Sequence, residues 1–151
     1  MALVWKPAIY KSSTLTLLPR PVHTLDIVDK WEFEESKVPK RDGCRLAGHS
    51  RGPKRIEVTG ELGSHNGTPT ISEDDQLAAM ALLDAAIDLD GETRFEFFIY
   101  HDTVGPSYRK YKNCAPDAMK WSLGDENRSP MAYTLSIIAE DPALYPTAPG
   151  A

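Results

Sequence analysis

A chain of 151 residues, 41% of them hydrophobic, fits one domain and can bury a core without disulfides or metal. Its charge is mixed, 17 basic against 22 acidic residues for a net of −5, which argues against a general nucleic-acid coat. No apolar run approaches the roughly 18 residues that cross a bilayer as a helix, and residues 1–7 lack the charged-then-apolar order of a secretory leader, so cytoplasmic synthesis is expected.

Most of the chain alternates with period two. Leu15 and Leu17 alternate with Thr14 and Thr16, and Trp31 and Phe33 with Glu32 and Glu34. Asp42-Gly43 is a turn signal. Cys44 and Cys114 are far apart, in no Cys-x-x-Cys or Cys/His cluster, and are expected to be free thiols. Gly48-His49-Ser50-Arg51-Gly52 has the spacing of a hydrolase nucleophile elbow. Pro53 and a strand-like run follow it where that chemistry needs a helix, so a polar loop entering a strand is expected. In that run Ile56, Val58 and Leu62 alternate with Arg55, Glu57, Thr59 and Glu61. Asn66-Gly67-Thr68 reads as a turn rather than a used glycosylation sequon.

Residues 72–89 change period. Ser72 can cap a helix whose first turn holds Glu73, Asp74 and Asp75, where the helix dipole favours negative charge. Ala79, Leu82, Leu83, Ala86 and Leu89 form the expected apolar stripe, with Glu73, Asp84 and Asp88 opposite and Gly91 placed to end the helix. Leu77 lies off the stripe.

Strand-like runs then resume. Phe95, Phe97 and Ile99 alternate with Arg94, Glu96 and Phe98, and Phe98 and Tyr100 fall on the second face. They mark either a partner interface or a sheet covered on both sides. His101-Asp102 reads as an ordinary strand end. Arg109, Lys110 and Lys112 interleave with Tyr108 and Tyr111. That pattern suits a solvated strand face, single-stranded nucleic acid, or an acidic partner surface such as Asp84 and Asp88. Met119, Trp121 and Leu123 alternate with Lys120 and Ser122, and Tyr133, Leu135 and Ile137 with Thr134 and Ser136. A hairpin with a long tip at 124–130 is expected to join those two runs.

One face dry and one wet is the mark of antiparallel sheets. The expected fold class is therefore α+β, an antiparallel β-barrel or β-sandwich with one covering helix at about 72–89. It forms a single domain over 1–151 with an extended tail from about 142. No His pair has metal-ligand spacing and no glycine-rich phosphate loop occurs, so neither metal nor cofactor nor catalytic residue is expected. A non-enzymatic structural protein is the main reading. The alternative is a small β-barrel that binds single-stranded nucleic acid or a ligand through Tyr108 to Lys112.

Taken in order, these elements resemble the ring-forming N-terminal domain of phage distal tail proteins, itself related to tail-tube and tail-hub domains. The resemblance rests on Asp42-Gly43, the run Arg55-Ile56-Glu57-Val58-Thr59-Gly60-Glu61, the capped helix with Leu82-Leu83, and Asp90-Gly91. It rests above all on the closing run Tyr133-Thr134-Leu135-Ser136-Ile137-Ile138-Ala139-Glu140-Asp141-Pro142, followed by Tyr145. It implies a homo-oligomeric ring, a hexamer, in the tail tip or baseplate of a virion. Such a ring contacts other tail proteins (tube, hub or tape-measure-associated), with DNA only in passage through a lumen and no membrane. The many relatives with a second, C-terminal domain differ from this chain, which then resembles a minimal adaptor between tube and tip.

Overall fold

Side-chain alternation sorts the chain into strands, and the structure, a computed structural model, describes residues 5–19, 22–62, 64–65, 68–69, 72–88, 93–102, 107–122 and 131–151. The strands are β1 (Trp5–Lys11), β2 (Thr14–Leu17), β3 (Val22–Val28), β4 (Trp31–Lys37), β5 (Cys44–Arg51), β6 (Lys54–Leu62), β7 (Ser64–His65) and β8 (Thr68–Pro69). After helix α1 (Glu73–Ile87) come β9 (Phe95–Asp102), β10 (Ser107–Ser122) and β11 (Met131–Ala139). Seven strands make one antiparallel sheet in the order β2-β1-β9-β10-β11-β6-β3, while β4–β5 and β7–β8 are separate two-stranded ribbons. The sheet does not close into a barrel, because its edge strands β2 and β3 do not pair. It is a layered sheet with a helix on one face.

The dry face carries Ile9, Ile56, Val58, Phe95, Phe97, Tyr133, Leu135 and Ile137, with Leu83 and Ile87 of the helix packed on them. The helix starts where expected: the Ser72 hydroxyl accepts the Asp75 N–H at 3.2 Å. Its buried stripe is Gln76, Leu83 and Ile87, with Ala79 and Ala86 half-buried. Leu82, expected on that stripe, is 60% exposed, since each helical step turns about 100° and carries it off the line through Leu83. Leu89 and Gly91 lie outside the described residues. The last turn has no basic residue of its own. Lys11 of β1 supplies one, its ammonium donating to the carbonyls of Ala85 and Asp88, where a cation offsets the helix's negative end.

One alternation reading inverts, and two runs prove to be one strand. In β2 the buried residue is Thr16, followed by Leu18, and Leu17 is exposed; a one-residue slip moves every side chain to the other face. The runs at Tyr108–Lys112 and Met119–Trp121 are one strand, β10. Irregularities at Arg109/Lys110, Tyr111/Cys114 and Pro116/Ala118 hide its continuity. Asn113 has φ 53°, and each extra residue flips the faces, so both Tyr111 and Cys114 point into the core. Pro116 sits at one of these irregular sites, where a missing N–H costs no ladder bond. The segments 66–67 and 123–130, including both expected turn tips, lie outside the described residues.

The second face divides in two. Over β1, β9 and β10 it is covered: Phe98 and Tyr100 are buried, so the alternative of a sheet covered on both sides holds within the monomer. The cover is the segment after β11. Tyr145 pairs with Lys110 through both backbone bonds, each 2.9 Å. The Lys110 side chain is 0% exposed, which corrects its placement on a solvated basic face. Its ammonium donates to Glu96 Oε1 at 2.9 Å and to the carbonyls of Ala148 and Ala151 at 2.8 and 2.9 Å. The Gly150 N–H donates to Glu96 Oε2 at 3.0 Å. Asp141 holds the start of the segment: its Oδ2 accepts the Tyr145 hydroxyl at 2.5 Å and its Oδ1 the Ala143 N–H at 3.0 Å.

Removing one member of a buried, hydrogen-bonded charge pair strands the other. Lys110→Ala is expected to cost about 3 kcal/mol of folding stability, read as a lower denaturant midpoint, and Lys110→Met less than Lys110→Glu. The Tyr145 bond depresses the Asp141 pKa below its ordinary 3.8, helped by the Ala143 N–H, and the same bond raises that of Tyr145 above 10.0. Asp141's contribution is complete above its unfolded value and is lost as pH falls through the depressed one. Tyr145's is complete below its unfolded value and is lost as pH rises through the raised one. The stability difference between wild type and Tyr145→Phe is therefore greatest near neutrality and shrinks at both extremes, which denaturant midpoints across pH will test.

Candidate assembly interface

The ribbon β4–β5 stands apart from the sheet, and every described side chain on it is exposed. Trp31 and Phe33, expected to face a core, face solvent instead. Cross-strand pairs share a face, so the register sorts the ribbon. Trp31↔Arg51, Glu35↔Leu46 and Lys37↔Cys44 lie on one side, with Phe33 between; Glu32↔Ser50, Glu34↔Ala47 and Ser36↔Arg45 lie on the other. Trp31, Phe33 and Leu46, 50%, 48% and 52% exposed, thus line one face. The opposite face is polar. The ribbon has the amphipathic pattern of a core strand pair without the core.

Local sequence explains its shape. Gly43, with φ 94°, closes the turn that Asp42-Gly43 signals. Gly48, with φ 63°, stands where the register slips between Glu32 and Glu34, a bulge that a left-handed glycine permits. The serine elbow reading ends here. Ser50 is an exposed strand residue paired with Glu32, followed by no helix. The base of the ribbon is tied down: Asp29 Oδ1 takes Arg51 and Lys54, both at 3.2 Å, the Gly52 N–H donates to the Lys30 carbonyl at 2.7 Å, and Arg51 stacks over Trp31 at 5.4 Å. Burial opposes ionisation of Asp29, but the two cations hold its pKa below the ordinary value.

Three further surfaces of the body are exposed. Among the described residues the outer edge of β3 has no partner strand, and Ile27 and Val28 are exposed on it; β2, the other edge, exposes Leu17. Over β11, β6 and β3 the second face of the sheet is open and mostly polar, carrying Thr24, Asp26, Arg55, Glu57, Thr59, Glu61, Thr134 and Ser136 beside Val28 and Ile138. The wet sides of these runs were legible in β6 and β11. Between the helix and β10 runs a groove of about 640 Å3 lined by Asp84, Ile87, Asp88, Pro116, Asp117 and Met119, among others.

The aromatic–basic stretch does not form a stacking platform. Tyr111 and Lys110 are buried on opposite faces, Tyr108 packs edge-on to Phe98 with centroids 6.1 Å apart, and Lys112 lies 4.5 Å over the Tyr145 ring. Arg109 alone of the five is exposed. His101 is buried, 5.8 Å from Phe98 and 5.5 Å from Tyr108 between ring centroids. The Asp102 side chain lies outside the described residues. Among the described residues no group of three His, Cys, Asp or Glu could hold a metal ion, and no helix is long and apolar enough to cross a membrane.

No protein-family model matches the sequence, and no curated protein does. Solved structures do match. The Dit protein of SPP1, described as a paradigm of the hub adsorption apparatus in phages that infect Gram-positive bacteria, superposes with a TM-score of 0.61 at 16% identity over 93% of this chain. The chain spans about half of that protein, 52% of its length. A chain from the tail of an empty gene transfer agent particle, refined with C6 symmetry, gives a TM-score of 0.50 at 13% identity over 95% of this chain and 96% of its own. At these identities the likeness is one of fold: the chain has the fold of distal-tail-type phage proteins.

Both cysteines are free. Cys44 is exposed beside the ribbon's turn, and burial pushes the thiol of Cys114 up to about 12. A thiol reagent at neutral pH is expected to label one cysteine per native chain and two after denaturation, and Cys44→Ser to abolish the native fraction.

Proposed function

We propose that this chain is a non-enzymatic structural subunit of a phage-like tail or baseplate, acting as a distal-tail-type ring adaptor within the virion. The observation that carries the proposal is the β4–β5 ribbon. A two-stranded ribbon is at best marginally stable alone, and this one places Trp31, Phe33 and Leu46 together in solvent. Such a face is suited to covering by another protein surface. The two unpaired sheet edges add to this reading. They are a hazard for a monomer and an asset for a ring, in which a head-to-tail contact closes on itself.

The ring in this proposal is a hexamer that joins the tail tube to the tip and encloses a DNA channel. The fold shared with the Dit protein and with a gene-transfer-agent tail refined with C6 symmetry supports it. The helix side of the sheet packs outward and the open face of β11, β6 and β3 lines the channel. There Asp26, Glu57 and Glu61 outnumber Arg55 and Lys120, and hydroxyls of Thr24, Thr59, Thr134 and Ser136 fill the spaces. Carboxylates repel phosphates and offer them no counterion to release, so DNA passes without adhering.

Light scattering over a range of concentrations tests the proposal. A mass that rises toward six chains supports it; a strict monomer that also fails to join tail proteins overturns it. Trp31→Ser with Phe33→Ser is expected to shift the association midpoint by roughly thirtyfold, about 2 kcal/mol for the two together, with little change in the thermal midpoint of the monomer.

A further inference from the structure

We infer that the turn of the β4–β5 ribbon seats in the acidic groove between α1 and β10 of a second copy of this chain. The inference rests on the self-assembly proposed above and names the partner surface, which that proposal leaves open. The turn and its flanks hold Lys37, Lys40, Arg41 and Arg45 against one acid, Asp42. All are exposed, and none of the four bases has an ion-pair partner among the described residues. The apolar Val38 sits among them, also exposed.

The groove has the opposite character in each respect. Its lining includes the carboxylates Asp84 and Asp88 and, among the described residues, no lysine or arginine; Asp117 borders it with its carboxylate turned to Arg55. Its floor is apolar, from Ile87, Pro116, Ala118 and Met119. The groove's volume, about 640 Å3, is on the scale of a site that takes a few side chains. Two of the carboxylates are fixed in place by the fold. Trp121 Nε1 donates to Asp84 Oδ1 at 3.3 Å, and Arg55 reaches Asp117 Oδ2 at 3.4 Å from outside the lining. The helix concentrates this charge. Asp84 and Asp88 are four apart and so stack on one side of it, close to its C-terminal end, where carboxylates are unfavourable unless a cation approaches. Lys11 answers the end carbonyls from the far side, beside Ala85 and Leu82. On the groove side no base among the described residues does so.

A second copy fits better than an unrelated basic partner because the two halves are matched within one chain. The ribbon is tied to the body at its base by Asp29, Arg51 and Lys54, so its turn stands at the ribbon's far end. It reaches away from the sheet instead of folding back on its own helix, since the ribbon's described side chains are exposed on both faces. A contact from the ribbon of one copy to the groove of the next uses two different patches, so it is head-to-tail and suits rings or stacked rings.

The native thiol beside the turn supplies the test. Full-length wild type, with Cys44 in place, is mixed with an Asp88→Cys, Cys44→Ser variant under mild oxidation, and disulfide-linked heterodimers are resolved by mass. Cys114 is buried and takes no part. The expected result is a heterodimer joined through Cys44 and residue 88. Its yield falls roughly tenfold when the Cys44 partner carries Lys40→Glu and Arg41→Glu, or in high salt. In unoxidised protein, Asp88→Lys alone and Lys40→Glu with Arg41→Glu alone each weaken association in light scattering, and the combined variant regains it. Wild type that associates while the groove variant neither crosslinks nor weakens association overturns this inference and leaves self-assembly standing. Wild type that stays monomeric and gives no heterodimer overturns both.

Discussion

A lysine ammonium with no exposed surface lies between the sheet and its C-terminal segment, and the form of the molecule follows from how that charge is satisfied. Lys110 belongs to β10, the central strand, and its side chain points away from the helix. A bare ammonium there would cost several kcal/mol in lost hydration. Glu96 on β9 supplies the countercharge, and the carbonyls of Ala148 and Ala151 complete its donor set. The chain after β11 must therefore come back over β10 and β9. In doing so it closes over Lys110 and Glu96. The Asp141–Tyr145 bond sets the direction of return, so the acid–proline–aromatic sequence that ends the last strand is the hinge of this closure.

Closure of one half leaves the other half open, and that asymmetry gives the sheet two different jobs. Beneath the C-terminal segment the sheet is buried on both sides. Over β11, β6 and β3 it is dry only on the helix side, and its other side is a lawn of hydroxyls and carboxylates ending at an unpaired edge. The ribbon leaves from that same half, between β3 and β6. The ribbon and the polar face thus lie on the half the tail does not cover, while the buried Lys110–Glu96 pair lies in the half it does.

Much of this was legible in the residues, and the failures share a cause. Helix α1 could be read because Ser72 and the acids after it are local signals, and β6 and β11 because their alternation runs unbroken for nine residues each. β10 was split because bulges at three places break its period, and a bulge leaves no local mark beyond an Asn or a Pro. Trp31 and Phe33 were placed in a core because alternation reports that one face is apolar and is silent on what covers it. Leu46, on the facing strand, went unnoticed because Gly48 interrupts the pattern. Lys110 could not be read as buried at all. Its partners are 14, 38 and 41 residues away, and sequence distance of that order hides a contact that only the fold assembles. The resemblance to tail proteins came from element order, which survives such local errors.

An apolar ribbon in water ought to aggregate, and its charges explain why it need not. Glu32, Glu34 and Glu35 sit on β4 with Arg45 and Arg51 on β5, and lysines and arginines crowd the turn. Any strand that tried to add to either edge of the ribbon would have to bury some of these groups unpaired, a penalty that natural edges use to stay soluble. The same charges lower the barrier to one particular partner, a surface that is apolar and acidic together. In the contact inferred above, the helix groove is that surface. Protection of the ribbon's edges and, in the proposed assembly, the choice of partner then have one physical origin, the pairing of an apolar stripe with a cluster of bases at its end.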